Sequence, residues 1–508
     1  MSETKSPELI ETHLEELSSK SVDIYEVNED NKGWYTKRLR LGAFKCLPYN
    51  ASFVQLLMTA FVCFLCPGMY NSLSGMGQGG GQVDTSTSNI ASLSLSCVST
   101  LGFFYGSICN KLGVNRTLAL GGIGYSVYAA SFLCFNITAN RGFVIFAGAL
   151  LGFCCNFLWS AQGSIMMSYP TEGNKGKYIS VFWIIFNLGA VIGAIIPLAN
   201  NIHVTTAKPV ANGTYAAFMV LMFLGAVVAL FLLPAGKVIK SDGTRVIIQK
   251  NPSWKSEIRG FASIFRTDTY ILSLFPLFFA SNFFYTYQQN DLNAAKFDTR
   301  TRSLNSLLYW LCQMFGALFF GYLLDMPYLT RPKRARVGIV VLFLLTMAIW
   351  GGGYAVAKQY TRKEASADDW VVMDWDTSGY VGVMFLYMFY GAYDAVYQTF
   401  CYWLIGSLTN NSRKLSIFAG FYKGVQGIGG IVIYVMDWKL VEYHAIFGTT
   451  WGIICFGILM AFPIAFRMVK DSTELEKDLE FSDETLEDVI PKDKLEVYLS
   501  NHEEKVSV

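Results

Sequence analysis

For its length the chain has little charge and almost no histidine. Of 508 residues, 15% are Asp, Glu, Lys or Arg, four are His, and 53% are hydrophobic. That balance excludes two or three ordinary soluble domains and points to a polytopic membrane protein. The histidines (His13, His203, His444, His502) avoid the middle of every apolar run, so a histidine proton relay is not expected. The eleven cysteines lie within or beside apolar stretches, which suits small buried hydrophobes rather than a disulfide framework. No Cys/His metal spacing appears, and no nucleophile, base and oxyanion set can be assembled. We therefore expect no metal, no cofactor and no enzyme. The net charge of +2 sums over charged tails and loops and long uncharged stretches, so it says nothing about partners.

What is present is length of apolar chain. Runs of roughly 20 residues, enough to cross about 30 Å of hydrocarbon, occur twelve times: 52–71, 88–109, 117–136, 142–168, 179–199, 214–234, 269–289, 303–325, 336–357, 379–408, 416–436 and 445–467. All are expected to be helices, because a lipid-facing backbone must satisfy its own hydrogen bonds. Residues 1–48 form a polar tail without a signal-peptide core, so the first span is expected to direct insertion. The longest loop, 235–268, divides the chain into six-span halves, 49–234 and 269–468, and 469–508 form an acidic tail that reads as solvated.

Lys111, Arg116, Lys175, Lys177, the stretch Lys237–Arg266, Arg331–Arg336, Arg413 and Lys414 all fall on one side. The excess of Lys and Arg marks that side as cytoplasmic and puts both termini there, although Lys296, Arg300 and Arg302 on the other side dissent. Plasma membrane and vacuolar or other endomembrane are equally compatible with this reading. The sequons at Asn136 and Asn212 face outward but hug helix ends, and the one at Asn410 faces inward.

Two spans carry charge where none is expected: Asp394 near the middle of 379–408, and Lys423 inside 416–436. An ionised side chain at the bilayer centre costs about 3 kcal/mol even on a lenient scale, so such residues face a bundle interior or a watery path. At 1.5 Å per residue Asp394 lies about 21 Å, and Lys423 about 10 Å, from the cytoplasmic helix ends. That offset disfavours a direct salt bridge and makes Gln398, one turn from Asp394, the better match for Lys423. We expect two stations of one polar track joined through Gln398 and Tyr422, with a structural polar network as the alternative. Gln426 shares the Lys423 segment.

Other polar residues are candidates for a cavity wall. Gly148, Gly152, Asn156, Trp159 and Gly163 share one helix face. The glycines suit close packing, whereas for Asn156 and Gln162 packing and lining a cavity are both open. Asn71 follows Pro67 at a kinked helix end and either contacts a solute or caps the helix. Gly75, Gly77 and Gly80 match Gly-x-Gly-x-x-Gly, but after a membrane helix rather than a strand, which speaks against a dinucleotide. The run Asn282–Asn290 is polar and aromatic, and at least one of its amides, Gln288 before the others, is expected to face an outward cavity.

A repeated loop identifies the architecture. Gly106-Ser-Ile-Cys-Asn110-Lys111-Leu-Gly113 follows the second span, and Gly321-Tyr-Leu-Leu-Asp325, with Arg331–Arg336 beyond, follows the eighth. These resemble the Gly-x-x-x-Asp-Arg/Lys-x-Gly-x-Arg/Lys loops of the major facilitator superfamily. The first copy departs with Asn110 and Asn115, and the second lacks the later glycine. Pro67–Asn71 with the glycines beyond, Asp394-Ala-x-x-Gln398 with Tyr402-Trp403, and Tyr422–Gln426 resemble the Uncoordinated-93-like branch, over roughly residues 45–468, in the layout of its fungal members.

The resemblance implies an all-α fold of twelve transmembrane helices in two six-helix halves. It also implies a secondary transporter whose substrate track draws on the residues above and whose cytoplasmic gating loops are Gly106, Asn110, Lys111, Gly113, Gly321 and Asp325. The expected partners are the bilayer and a small-molecule solute, with a proton at Asp394 as one coupling option. The fourth span lacks the buried arginine of many proton antiporters. No nucleic acid is expected. The rival reading, drawn from animal relatives, is a non-transporting regulator or trafficking partner of another membrane protein.

Overall fold

The computed structural model describes residues 33–37, 40–41, 44–75, 85–201, 212–247, 254–367, 369–473, 478–479 and 485–490. The glycine motif beyond Gly75 lies outside the described residues.

Twelve segments run back and forth across the bundle. In chain order they are α1 (Ser52–Ser74), α2 (Thr85–Ser99 and Gly102–Leu112), α3 (Val114–Thr138), α4 (Arg141–Ser168), α5 (Lys175–Asn201) and α6 (Asn212–Leu230). The second set begins with the broken α7 (Tyr270–Ser273, Phe275–Ala280, Phe284–Thr286 and the π turn Tyr287–Ala294). It continues with α8 (Thr299–Leu324), α9 (Arg331–Ala357), α10 (Tyr380–Leu408), α11 (Ser412–Trp438) and α12 (Tyr443–Arg467).

Nine of these helices are long and apolar enough to cross a membrane among the described residues, and the two parts of α2, bent by 61°, make a tenth. The other two depart from that standard for a physical reason. Helix α10 gives six positions to tyrosine and one to Asp394, and α7 is interrupted, so both are more polar than a lipid-facing helix. Both are instead covered by protein: Asp394, Tyr390, Tyr397, Tyr287 and Gln288 are all fully buried.

Irregular backbone occurs where it serves the interior. In α1 the segment Phe64–Gly68 is π-helical around Pro67, which cannot donate a backbone bond. The π turn in α7 spans Tyr287–Ala294 and ends where Asp291 and Asp437 share Arg362. Two of the basic residues that dissented on this side are held locally: Arg300 is paired with Asp374 and Asp376, while Lys296 bonds Gln359 and lies 4.8 Å from the Tyr360 ring. The sequon residues Asn136 and Asn212 hydrogen-bond each other.

The connecting segment 235–268 is more than a loop. Ile239 exchanges backbone bonds with Asn50 and Ser52, and Trp254–Thr267 forms a helix. The expectation of a solvated acidic tail also needs correction for its described part. Asp478 is 4% exposed; its carboxylate accepts from Thr409 Oγ1 (2.5 Å), the Asn410 N–H (3.1 Å) and Thr473 Oγ1 (3.0 Å). The Arg245 N–H donates to the Val489 carbonyl. The free backbone groups and hydroxyls of the α10–α11 joint select a carboxylate, which composition alone could not reveal.

Candidate functional site

A cavity of about 230 Å³ lies between the two sets of six helices. Its walls come from α1, α2, α3, α4 and α5 on one side and from α7, α8, α10 and α11 on the other. Pro67 with the π turn brings Tyr70 and Asn71 to the wall, while Trp159 with Trp183 and Phe186 form an aromatic side. Of the residues expected to form the track, Asn71, Asn156, Gln398, Lys423 and Gln426 line the cavity.

Four others stand behind the wall. Tyr422 and Gln162 are fully buried: Tyr422 donates to Gln398 Oε1, and Gln162 accepts from Tyr402 at 3.3 Å. Gln288 is a correction, since it is fully buried and accepts from Tyr309 at 2.9 Å, while its neighbour Gln289 reaches the cavity. The π turn Tyr287–Ala294 alters the rotation per residue there, so which of two adjacent glutamines faces inward is not legible from the chain. Asp394 is the fourth. Its Oδ2 accepts from Tyr285 (2.6 Å) and Gln313 (2.6 Å) and lies 3.2 Å from the Tyr309 hydroxyl, whose one proton it shares with Gln288; Tyr285 and Gln313 separate it from the cavity. Its Oδ1 has no partner among the described residues.

Lys423 is held differently. Its ammonium donates to Gln426 Oε1 at 2.9 Å and lies 4.7 Å from both the Trp159 and Tyr422 ring centroids and 5.4 Å from that of Tyr402. No ion pair joins it to Asp394 among the described residues. Amides connect their neighbourhoods: Gln426 Nε2 donates to Ser281 Oγ (2.8 Å) and lies 3.5 Å from Gln398 Oε1, and Gln398 Nε2 donates to the Ser281 carbonyl (2.7 Å). Ser281, Tyr309 and Gln313 belong to this network and were not singled out in the sequence. They are ordinary residues there, whose only distinction is the helix they face.

The end of the bundle that carries Lys111, Lys175 and Arg331 is sealed between the two sets of helices. A Cβ on Gly106 would overlap the Ser416 carbonyl oxygen of α11, and one on Gly321 would overlap Ser180 of α5. These glycines thus permit backbone contact that no other residue allows. Asn110 Nδ2 donates to the Arg413 carbonyl at 3.4 Å, and Gly113 adopts φ +84° after α2. Lys111 lies in the last turn of α2.

Asp325 accepts from the Gly176 (2.9 Å) and Lys177 (2.6 Å) N–H groups at the start of α5, and burial raises its carboxyl to about 6, although those N–H groups pull the other way. Around it Arg331 bonds Glu172 (2.8 Å) and the Ser407 carbonyl (2.8 Å), and Lys175 bonds Asn410 (2.8 Å). Glu172 also accepts from Thr473 and Asn410.

The family model of the Major Facilitator Superfamily matches residues 49–434. The chain belongs to that superfamily. An UNC93-like protein of Schizosaccharomyces pombe is 48% identical over 442 residues, 87% of each chain, and UNC93-like protein 1 of Arabidopsis thaliana is 39% identical over 84% of this chain and 92% of its own. The chain is therefore a member of the UNC93-like branch and a multi-pass integral membrane protein. Among solved structures, a bacterial homologue of the iron transporter ferroportin in an outward-facing state has a TM-score of 0.57 over 82% of this chain and 99% of its own, at 10% identity. At that identity the likeness concerns the fold.

Proposed function

We propose that the chain is a secondary transporter of a small solute, working by alternating access between its two six-helix halves. The basic end is cytoplasmic on the positive-inside rule, with both termini there. The observation that carries the reading is the cavity shared by both halves, with one end of the bundle sealed by inter-half contacts. In this state the solute enters from the non-cytoplasmic side. Reversal requires α2 to part from α11 and α8 from α5, the helix pairs joined at Gly106 and Gly321. The contacts of Thr473 and Asp478, which tie the acidic tail to Glu172 and to the α10–α11 joint, must loosen as well.

Metabolite uptake and efflux compared between deletion cells expressing wild type, Asp394→Asn or Lys423→Met at equal abundance test the proposal. Altered flux of a defined solute in wild type, lost in Lys423→Met, is the expected result. Unchanged fluxes with a membrane partner mislocalised would replace transport by a regulatory role.

A further inference from the structure

We infer that the solute is a small organic anion, a carboxylate on a planar body, bound with its charge on Lys423; this rests on the transporter reading above. Three observations converge on that chemistry. Lys423 is the charged residue of the cavity wall, and no carboxylate shares that wall with it among the described residues. The nearby acid, Asp394, is fully buried behind Tyr285 and Gln313, so it is not presented to a solute as a counter-charge. An ammonium carries three N–H donors, and here a single side-chain acceptor, Gln426 Oε1, takes one. The remaining donors and the charge belong to a side chain that lines the cavity.

The second observation is the cage. Trp159, Tyr402 and Tyr422 surround the ammonium at 4.7–5.4 Å, which stabilises the cation without neutralising it. An aromatic cage therefore holds a positive charge ready at the cavity, where an ion pair would have cancelled it. The third is the wall away from Lys423. Trp183, Phe186 and Trp310 offer ring faces, and Asn71, Asn282 and Gln289 offer amide groups. A flat solute stacks on the rings while its polar edge meets the amides. At about 230 Å³ the space exceeds the ~150 Å³ known to take one benzene ring, so a ring with one substituent fits.

The test uses the full-length protein in lipid nanodiscs and three isosteric probes: benzoate, neutral benzamide and cationic benzamidine, with binding followed by tryptophan fluorescence and calorimetry. Benzoate should bind roughly ten- to a hundredfold more tightly than benzamide, the difference a charge-assisted hydrogen bond makes, and benzamidine should bind least. Lys423→Gln should remove the preference for benzoate, while Lys423→Arg, which keeps the charge, should retain it. Benzamide or benzamidine binding as well as benzoate, no binding of any probe, or an undiminished benzoate preference in a folded Lys423→Gln protein would each overturn the inference. Its failure is separable from failure of the transport reading. Benzoate binding through Lys423 in a protein that moves no solute in proteoliposomes would sink transport alone, whereas flux of a neutral or cationic solute without benzoate binding would sink this inference alone.

Discussion

Asp394 and Lys423 are charges on neighbouring membrane helices, yet the protein treats them in opposite ways. Asp394 is surrounded by donors from two other helices, Tyr285 of α7 and Tyr309 and Gln313 of α8, and is sealed from the cavity. Lys423 meets ring faces and a single amide oxygen, and it borders the cavity. The carboxylate ties α7, α8 and α10 together through its Oδ2, so protein donors rather than a solute meet that oxygen. The ammonium is stabilised but incompletely hydrogen-bonded, so its environment has room for one. The difference teaches that a buried charge is assigned by what its partners leave unsatisfied, not by its depth.

The largest expected effect breaks the Asp394 side. Asp394→Ala takes the acceptor from Tyr285 and Gln313 and leaves Tyr309 with Gln288 alone, and should lower stability by about 2–3 kcal/mol, read as a fall in thermal unfolding temperature in detergent. Lys423→Met keeps the apolar stem and loses mainly cation–π attraction, so it should cost about 1 kcal/mol while abolishing solute binding. Equal destabilisation by the two would erase the comparison. Exchanging the charges, Asp394→Lys with Lys423→Asp, should restore neither stability nor transport, because each charge would meet the wrong partners. Recovery of either by the exchanged protein would argue for a simple ion pair.

The next effect concerns the sealed end on which the state of the cavity depends. Gly106→Ala forces apart the backbones of α2 and α11 and should cost the closed state about 1–3 kcal/mol. Spin labels on Lys111 and Lys333 would then report a longer inter-half distance. Asp478→Ala, which removes acceptors from Thr409, Asn410 and Thr473, should move the same distance distribution in the same direction by a smaller amount, about 1 kcal/mol.

The smallest effect is a pH dependence. The Asp325 carboxyl is raised to about 6 in the sealed state, against about 4 when solvated. The sealed state therefore binds that proton more tightly. The contribution of Asp325 favours sealing fully below about pH 4 and fades as pH rises through about 6. The short-distance population should grow between about pH 7 and pH 5 in wild type and stay constant in Asp325→Asn.

The two loop repeats show how far sequence reading reached. Gly106 and Gly321 were legible because a close helix contact demands the same residue wherever it recurs. Their sequels diverge: Asp325 caps the start of α5, whereas Asn110 donates to the Arg413 carbonyl in the first turn of α11. In the described part of the tail Asp478 departs from a solvated reading, because a run of acids has no periodicity to signal docking. Asp478 is held by Thr409 and Asn410 of the α10–α11 joint and by Thr473, contacts that only the fold brings together.

The sequence by itself determined the twelve spans, the superfamily and the two anomalous charges, since each follows from a local cost: apolar length, close approach without a Cβ, or an ion in hydrocarbon. It also singled out Asn71, Asn156, Gln398 and Gln426, which the fold brings to the wall with Lys423. Only the tertiary structure decided that Gln289 rather than Gln288 meets the cavity, that Asp394 is enclosed by Tyr285, Tyr309 and Gln313, and that Lys423 stands in an aromatic cage. Those outcomes depend on irregular turns and on partners from other helices, 81 to 109 residues away for the donors to Asp394 and farther still for Trp159 and Lys423, and neither leaves a periodic mark on the chain.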